Sequence, residues 1–261
     1  MSTSSTSSAD LRDGMKRPIE AGWVVHTVET IDSTNTFAGR LPAWSAVRAD
    51  TQSGGRGRIV ERRWISDKGG LWLSAVLPCP GPRDRWSILP LAAGWAVASA
   101  LKEVGRIEPR LRWPNDIMVG NRKLAGLLVE RFTDDTAVVG VGLNIFNHPE
   151  QAEPSLHGHT VRLADLAPSV YTVDEVAHLI LHSLRRMHTL LLGPGFKMIA
   201  NDLNRTWGKP RPVEITLTGQ TRPLEGLFQG IDELGRLRLA IGSDDFRTYD
   251  ASQVTLLREL A

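Results

Sequence analysis

The sequence predicts an α+β fold, a strand-rich body with a few helices followed by a smaller all-β unit, and three observations support it. Between Leu111 and Phe146, apolar segments follow one another across short turns, which favours antiparallel neighbours over βαβ crossovers. Two long segments, 90–104 and 173–192, have helical character. Beyond Pro212 the pattern changes to alternating short strands.

Taken in order, residues 24–29 (VVHTVE) are β-branched and run into Ser33-Thr34-Asn35, so a strand leads into a helix over about 33–41. A second strand covers 47–51. LWLSAVL at 71–77 is a short, largely apolar run that suits a buried strand, stopped by Pro78-Cys79-Pro80-Gly81-Pro82. PLAAGWAVASALKEV at 90–104 is apolar around most of its circumference and reads as a helix buried on several sides. Strands follow at 111–113, 117–119, 123–132 and 137–146, with Gly120-Asn121 as a hairpin signal. After a loop over 147–160, Thr172-x-x-Glu175 is a capping box that opens a helix ending at Gly193-Pro194. His178, His182 and His188 lie on it without an acidic partner at metal-site spacing, so they read as solvated or capping side chains. MIANDLNRTW at 198–207 is a further helical piece. The short strands VEITL, EGLFQGI, GRLRLAI, FRTYD and VTLLR then suit a small barrel or an open sheet. A boundary near residue 210 divides the chain into a flexible N-terminal tail (1–22), a main domain (23–210) and a small β-domain (211–261).

Composition narrows the class. Hydrophobic residues at 41% and charged residues at 23% argue against disorder and coiled coil. With 31 basic and 29 acidic residues the formal net charge is +2, which predicts no bulk affinity for nucleic acid or anionic lipid. The single cysteine, Cys79, excludes an internal disulfide and any cysteine-based zinc site. The longest apolar stretch, Leu89 to Leu101, falls short of the ~20 residues that span a bilayer. MSTSSTSSADLRDG at the N-terminus lacks the apolar core of a secretory signal. A cytoplasmic protein without membrane attachment is expected.

Three segments could carry chemistry. Gln52 to Trp64 reads QSGGRGRIVERRW, with Arg56, Arg58, Arg62 and Arg63 opposed only by Glu61. It lacks the spacing of a P-loop, and Val60 stands where a dinucleotide fingerprint needs its third glycine, as Ile145 does after Gly140-x-Gly142. The glycines still permit close backbone approach, and two arginines flanking Gly57 can converge on an anion; taken alone the loop reads more readily as a mobile surface loop with solvated arginines. Arg112-Trp113-Pro114-Asn115-Asp116 and Lys123-Leu-Ala-Gly126 are ordinary turn and surface chemistry unless a hairpin brings 116 and 123 to one end. They would then place a carboxylate able to hold Mg²⁺ beside an ammonium group, a pairing suited to chemistry at an α-phosphate. Asp32-Ser33-Thr34-Asn35 is a helix N-cap that also offers neutral hydrogen-bonding groups.

Together these segments resemble the biotin–protein ligase family. The matching pieces are DSTN at 32–35, ADTQSGGRGR with the Trp six residues on at 49–64, RWPND at 112–116, RKLAGLLVE at 122–130 and GVGLNI at 140–145, in the family's order and spanning about residues 24–260. The resemblance implies a mixed-sheet catalytic domain of the class II synthetase type with a small C-terminal SH3-like β-barrel. It implies a two-step ligase: biotin and MgATP give biotinyl-5′-AMP and pyrophosphate, then a lysine amine on the biotin carboxyl carrier domain of an acyl-CoA carboxylase takes the biotinyl group.

Carried over by position, Ser33, Thr34, Asn35 and Gln52 line the biotin pocket, completed by Arg56, Gly57, Arg58, Lys123 and Gly126. Lys123, Arg56 and Arg58 become the catalytic candidates, Lys123 at the carboxylate and α-phosphate. Trp64, Asn115 and Asn144 fall on the nucleotide side with Arg56, Arg58 and Lys123, and Asp116 at a metal-associated position. Arg112 stands where many relatives carry lysine and receives no role. Only about thirty residues precede Asp32, too few for the winged helix-turn-helix of repressor-type members, so a monofunctional ligase without specific DNA binding is expected, as a monomer or homodimer. A lipoate or octanoate ligase is the nearest rival but lacks the GRGR and RWPND combination. A nucleic-acid-binding module is disfavoured because residues 213–250 hold only Phe228, Phe246 and Tyr249 as aromatics. With three glycines and four arginines in the eleven residues from Gly54 to Trp64, the loop has few apolar anchors. It is expected to be mobile when empty, with Trp64 packing over the acid on closure.

Overall fold

The computed structural model describes residues 17–19, 22–59, 63–105, 107–167, 171–242 and 245–260, so most of the expected N-terminal tail and residues 60–62 of the arginine loop lie outside the described residues. The main body contains β1 (Arg17–Ile19), β2 (Trp23–Ile31), α1 (Thr34–Ala38), β3 (Ser45–Gln52), β4 (Leu71–Pro78), α2 (Leu89–Val104), β5 (Arg110–Arg112), β6 (Asp116–Val119), β7 (Arg122–Glu130) and β8 (Thr136–Leu143). The short helices α3 (Pro149–Ala152) and α4 (Leu163–Leu166) precede α5 (Val173–Leu192) and α6 (Gly195–Trp207). Arg17–Ile19, within the stretch expected as tail, pairs with β2.

The eight strands are ordered β1-β2-β3-β4-β8-β7-β6-β5. All neighbours are antiparallel except β2 and β3, which run parallel. A parallel pair needs a crossover of a dozen or more residues, and the segment carrying α1 supplies it. The capping box of α5 forms in both directions: Thr172 Oγ1 accepts from Glu175 N, and the Glu175 carboxylate accepts from Thr172 N.

Alternation explains why β4 is apolar throughout. Leu71, Leu73, Ala75 and Leu77 join the main core, while Trp72, Ser74 and Val76 are buried on the opposite face. In β8, Ala137, Val139, Val141 and Leu143 likewise face the main core. That leaves Val138, Gly140 and Gly142 on the face where α1 sits, and a smaller apolar cluster of Ala38, Val47, Val76 and Val138 anchors α1 there.

His188 corrects the sequence-based expectation. His178 and His182 are exposed, but His188 is buried, stacked on Trp86 at 5.5 Å and edge-on to Trp44 at 5.0 Å, with Nε2 2.7 Å from the Pro78 carbonyl. Burial holds its imidazole below the usual range, outweighing the Pro78 bond, so the neutral ring donates to that carbonyl. The helix is amphipathic, and position 188 falls on its apolar stripe with Leu184 and Leu191.

The C-terminal strands β9 (Arg211–Leu217), β10 (Leu224–Ile231), β11 (Leu237–Ala240), β12 (Phe246–Tyr249) and β13 (Val254–Glu259) form one antiparallel sheet in the order β12-β11-β10-β9-β13. β12 and β13 occupy its two edges, so the sheet is open and the barrel is not closed. It is docked on the larger body. Trp113 Nε1 donates to the Gly235 carbonyl at 3.2 Å, and Trp207 meets Phe228 edge-on at 5.0 Å. Glu259 receives two bonds from Arg110 at 2.6 and 2.7 Å and one from Arg211 at 3.2 Å. Burial pushes the Glu259 carboxyl up, but these arginines outweigh it and hold it below the usual carboxylate range. Glu259→Gln is expected to cost roughly 1.5–3 kcal/mol in urea unfolding. Because the folded carboxyl titrates below its unfolded value, this contribution is complete at neutral pH and is lost as the pH falls through the folded pKa. Wild type and variant should therefore converge only in acid.

Candidate active site

A cleft of about 630 Å³ opens on the sheet face that carries α1, roofed by the arginine loop and by Thr255 to Leu257 of β13. Its two ends differ in charge. One end is neutral and hydrogen-bonded throughout. Ser33 caps α1, and Thr34 donates to Gln52 Oε1 through its backbone N at 2.8 Å and its hydroxyl at 2.9 Å. Gln52 Nε2 donates to Ser66 Oγ at 2.9 Å. Buried Ser74, which lies opposite Gly140 in the register of β4 with β8, approaches Thr34 Oγ1 at 2.7 Å and Asn35 Oδ1 at 2.6 Å. Asn35 Nδ2 donates to Glu130 at 2.7 Å and to the Leu128 carbonyl at 3.2 Å. Two hydroxyl protons, on Ser74 and Thr34, serve three short oxygen–oxygen contacts, so this group of oxygens has more lone pairs than protons. Its complement is a ligand that presents N–H groups.

The other end is cationic. Lys123 Nζ lies 2.6 Å from Asp116 Oδ1, and Arg112 Nη2 lies 2.6 Å from Asp116 Oδ2. Burial pushes the Asp116 carboxyl up, but the two cations more than compensate and hold it below the usual range. A bulge in the β6–β7 pairing places Lys123 here. The register steps from Ile117 opposite Ala125 to Met118 opposite Lys123, and Leu124 and Ala125 are both buried in the main core. The extra residue turns Lys123 onto the cleft face with Gly126, whereas strict alternation would put it on the core face with Ala125 and Leu127.

Arg56, Arg58 and Trp64 of the arginine loop each have partners in the structure, where composition alone offers few apolar anchors. Trp64 lies flat in a slot made by two glycines: a Cβ on Gly142 would stand 2.6 Å from its indole, and one on Gly126 would stand 2.9 Å from it. Lys123 Nζ sits 4.8 Å from the ring centroid, and the buried indole N–H has no hydrogen-bond partner among the described residues. Arg56 bonds Glu130, Ser33 and Thr36 at the neutral end. Arg58 donates to the carbonyls of Ala251 at 2.9 Å and Val254 at 2.7 Å, beside β13. Gly57, between them, lines the cleft. Arg56 and Arg58 thus have partners at opposite ends of the cleft before any anion arrives.

Asn115 and Asn144 both line the cleft. The Asn115 side chain donates to the Leu127 carbonyl at 2.7 Å, which joins the 113–115 turn to β7. Buried Asn144 accepts from Asn147 Nδ2 at 3.1 Å, leaving its own NH₂ as the group it can offer a ligand. Among the described residues no cluster of three or more acidic, His or Cys side chains could hold a metal ion. A carboxylate has about four lone-pair directions, so Asp116 keeps capacity beyond its two cations. The donor set therefore fits one protein ligand to an ion carried in by nucleotide phosphates, not a resident ion held by protein alone.

The family model described as "Biotin/lipoate A/B protein ligase family" matches residues 25–144, the stretch from β2 through the end of β8. The chain is 27% identical over 259 residues to the bifunctional ligase/repressor BirA of Bacillus subtilis, covering 94% of this chain and 78% of that protein. It is 32% identical over 225 residues to the biotin–[acetyl-CoA-carboxylase] ligase of Paracoccus denitrificans, covering 80% of this chain and 90% of that protein. The chain belongs to the biotin–protein ligase family. In fold, it matches the biotin protein ligase of Aquifex aeolicus, solved in complex with biotin and ATP, with a TM-score of 0.77 at 24% identity over 90% of this chain and 99% of that one.

Sequence reasoning missed several residues that shape the cleft of this ligase. Ser74 sits in an apolar strand, and Ser66 and Thr36 lie beside matched motifs without standing out. Only for Ser74 was there a signal, a single hydroxyl in LWLSAVL that needs a partner if the strand is buried.

Proposed function

We propose that the cleft binds biotin with its ureido ring at the Ser33, Thr34, Asn35 and Gln52 end and its carboxylate beside Lys123, next to the α-phosphate of ATP. The observation behind this reading is the single cleft whose proton-poor neutral end runs directly into a cationic end. Ureido N–H groups complement the first, and a carboxylate with a phosphate complements the second. The enzyme activates biotin with ATP and transfers it to a protein lysine; the names of its relatives point to acetyl-CoA carboxylase as acceptor, and its biotin carboxyl carrier domain is the part that would carry that lysine.

In the first step a biotin carboxylate oxygen attacks the α-phosphorus and the bond to pyrophosphate breaks, giving biotinyl-5′-AMP. Lys123, held in place by Asp116, neutralises charge that builds on the α-phosphate oxygens. Arg58 can join it by leaving the β13 carbonyls for a phosphate, a stronger, charged acceptor. Magnesium arriving with ATP would spread phosphate charge, and Asp116 is the residue that would hold it. In the second step the carrier's lysine amine attacks the acyl carbon, the bond to AMP breaks and the amine gives up a proton. Trp64 over the sheet and β13 at the rim keep water from the mixed anhydride. Residues 23–210 supply the chemistry and 211–261 the rim.

Isotope exchange between pyrophosphate and ATP tests the first step. Biotin should stimulate it and lipoate should not; exchange that ignores biotin would reject the reading. Asp116→Asn is expected to raise the magnesium concentration for half-maximal exchange and to slow exchange at saturating magnesium, since it loosens Lys123 as well. A magnesium titration identical to wild type would confine Asp116 to the pairing with Lys123.

A further inference from the structure

Glu130, the last residue of β7, touches both the ring end of the cleft and the arginine loop. Alternation along β7 places it on the cleft face with Gly126 and Leu128. Its Oε2 accepts Asn35 Nδ2 at 2.7 Å, and its two oxygens lie 3.1 and 3.0 Å from Arg56 Nη2. The other arm of the same guanidinium reaches Ser33 Oγ at 3.3 Å and Thr36 Oγ1 at 3.1 Å.

Two consequences follow from the chemistry of a carboxylate at this place. An ionised carboxylate only accepts, so the Asn35 amide must turn its NH₂ toward Glu130 and its Oδ1 toward Ser74. That orientation makes Asn35 an acceptor for the Ser74 proton, while the Thr34 hydroxyl gives its proton to Gln52. The second consequence is electrostatic. Glu130 matches the charge of Arg56 locally, so the ring end stays neutral, and it ties the Arg56 segment of the loop to the first turn of α1.

We propose that Glu130 is a positioning residue for biotin, acting through the Asn35 amide and the Arg56 guanidinium. This rests on the reading of the neutral end as the ring pocket. Its effect should fall on biotin and not on ATP, whose phosphates belong to the Lys123 end.

Calorimetric titration of biotin, and separately of MgATP, into the full chain tests it with wild type, Glu130→Gln and Glu130→Asp. Glutamine can present its NH₂ to either neighbour and carries no charge for Arg56, so biotin should bind roughly tenfold more weakly or worse while ATP affinity is unchanged. Aspartate is one methylene shorter and cannot reach Asn35 and Arg56 together, so its biotin affinity should fall by less. Wild-type biotin affinity in Glu130→Gln, or an equal loss of biotin and ATP binding, would overturn the proposal. If Glu130→Gln does not fold, Glu130→Asp decides, and biotin affinity equal to wild type overturns it. Failure of the wild type itself to bind biotin would reject the pocket reading, a result distinct from a variant that binds as well as wild type.

Discussion

Lys123→Ala is expected to lower biotin-dependent exchange between pyrophosphate and ATP by about 10²–10³-fold, the usual effect of removing one preorganised charge donor from a transition state. Lys123 is the ammonium group of the cleft, held 2.6 Å from Asp116 on a strand whose bulge directs it inward. Its loss leaves Asp116 with Arg112 as its remaining cation. The cost to folding should be modest, roughly 1–2 kcal/mol, because Lys123 is partly exposed and faces the cleft, not the core. Exchange kinetics alongside urea unfolding separate the two effects. A variant of ordinary stability with near-native exchange would remove Lys123 from the chemistry.

Gly140→Ala is expected to weaken biotin binding at least tenfold by a different route. A Cβ at Gly140 would lie 2.3 Å from Asn35 Oδ1, closer than any contact allows. The sheet cannot yield, since β8 is paired on one side with β4 and on the other with β7. Asn35 must therefore move, and its bonds to Ser74, Glu130 and the Leu128 carbonyl go with it. Overpacking should cost roughly 1–3 kcal/mol of stability. The broken network should weaken biotin at least tenfold, roughly the effect of one lost hydrogen bond to a charged group. Gly242→Ala is the control, because nothing lies within 4 Å of its added Cβ. Wild-type biotin affinity in Gly140→Ala, measured by calorimetry, would mean that Asn35 is not held as described.

Much of the architecture could be read from neighbours in the chain. The capping box at Thr172, the Gly120-Asn121 hairpin, the buried run at 71–77 and the change of pattern after Pro212 are all local signals, and the structure contains each of them. The motifs were local too: DSTN, GRGR, RWPND and KLAG are contiguous, and the structure draws them into one cleft. What escaped depended on residues distant in sequence. His188 reads as a surface histidine until Trp44 and Trp86 close around it. The arginine loop reads as unanchored until Gly126 and Gly142 make a slot for Trp64, and Arg56 reads as free until Glu130 is seen beside it.

Fold class, the order of the elements and most of the chemically capable residues were legible in the chain, because helix caps, turns and hydrophobic period are properties of a few adjacent residues. Which of those residues face one another was settled by how the strands and sheets pack. Strand order puts β4 beside β8, so Ser74 meets Gly140 and Asn35; one extra residue in β7 turns Lys123 from the core to the cleft; and the docking of an open C-terminal sheet brings β13 to the rim. Register and docking are set by burial summed over the whole molecule, where a shift of one residue moves every side chain to the opposite face. No short stretch of sequence records that choice.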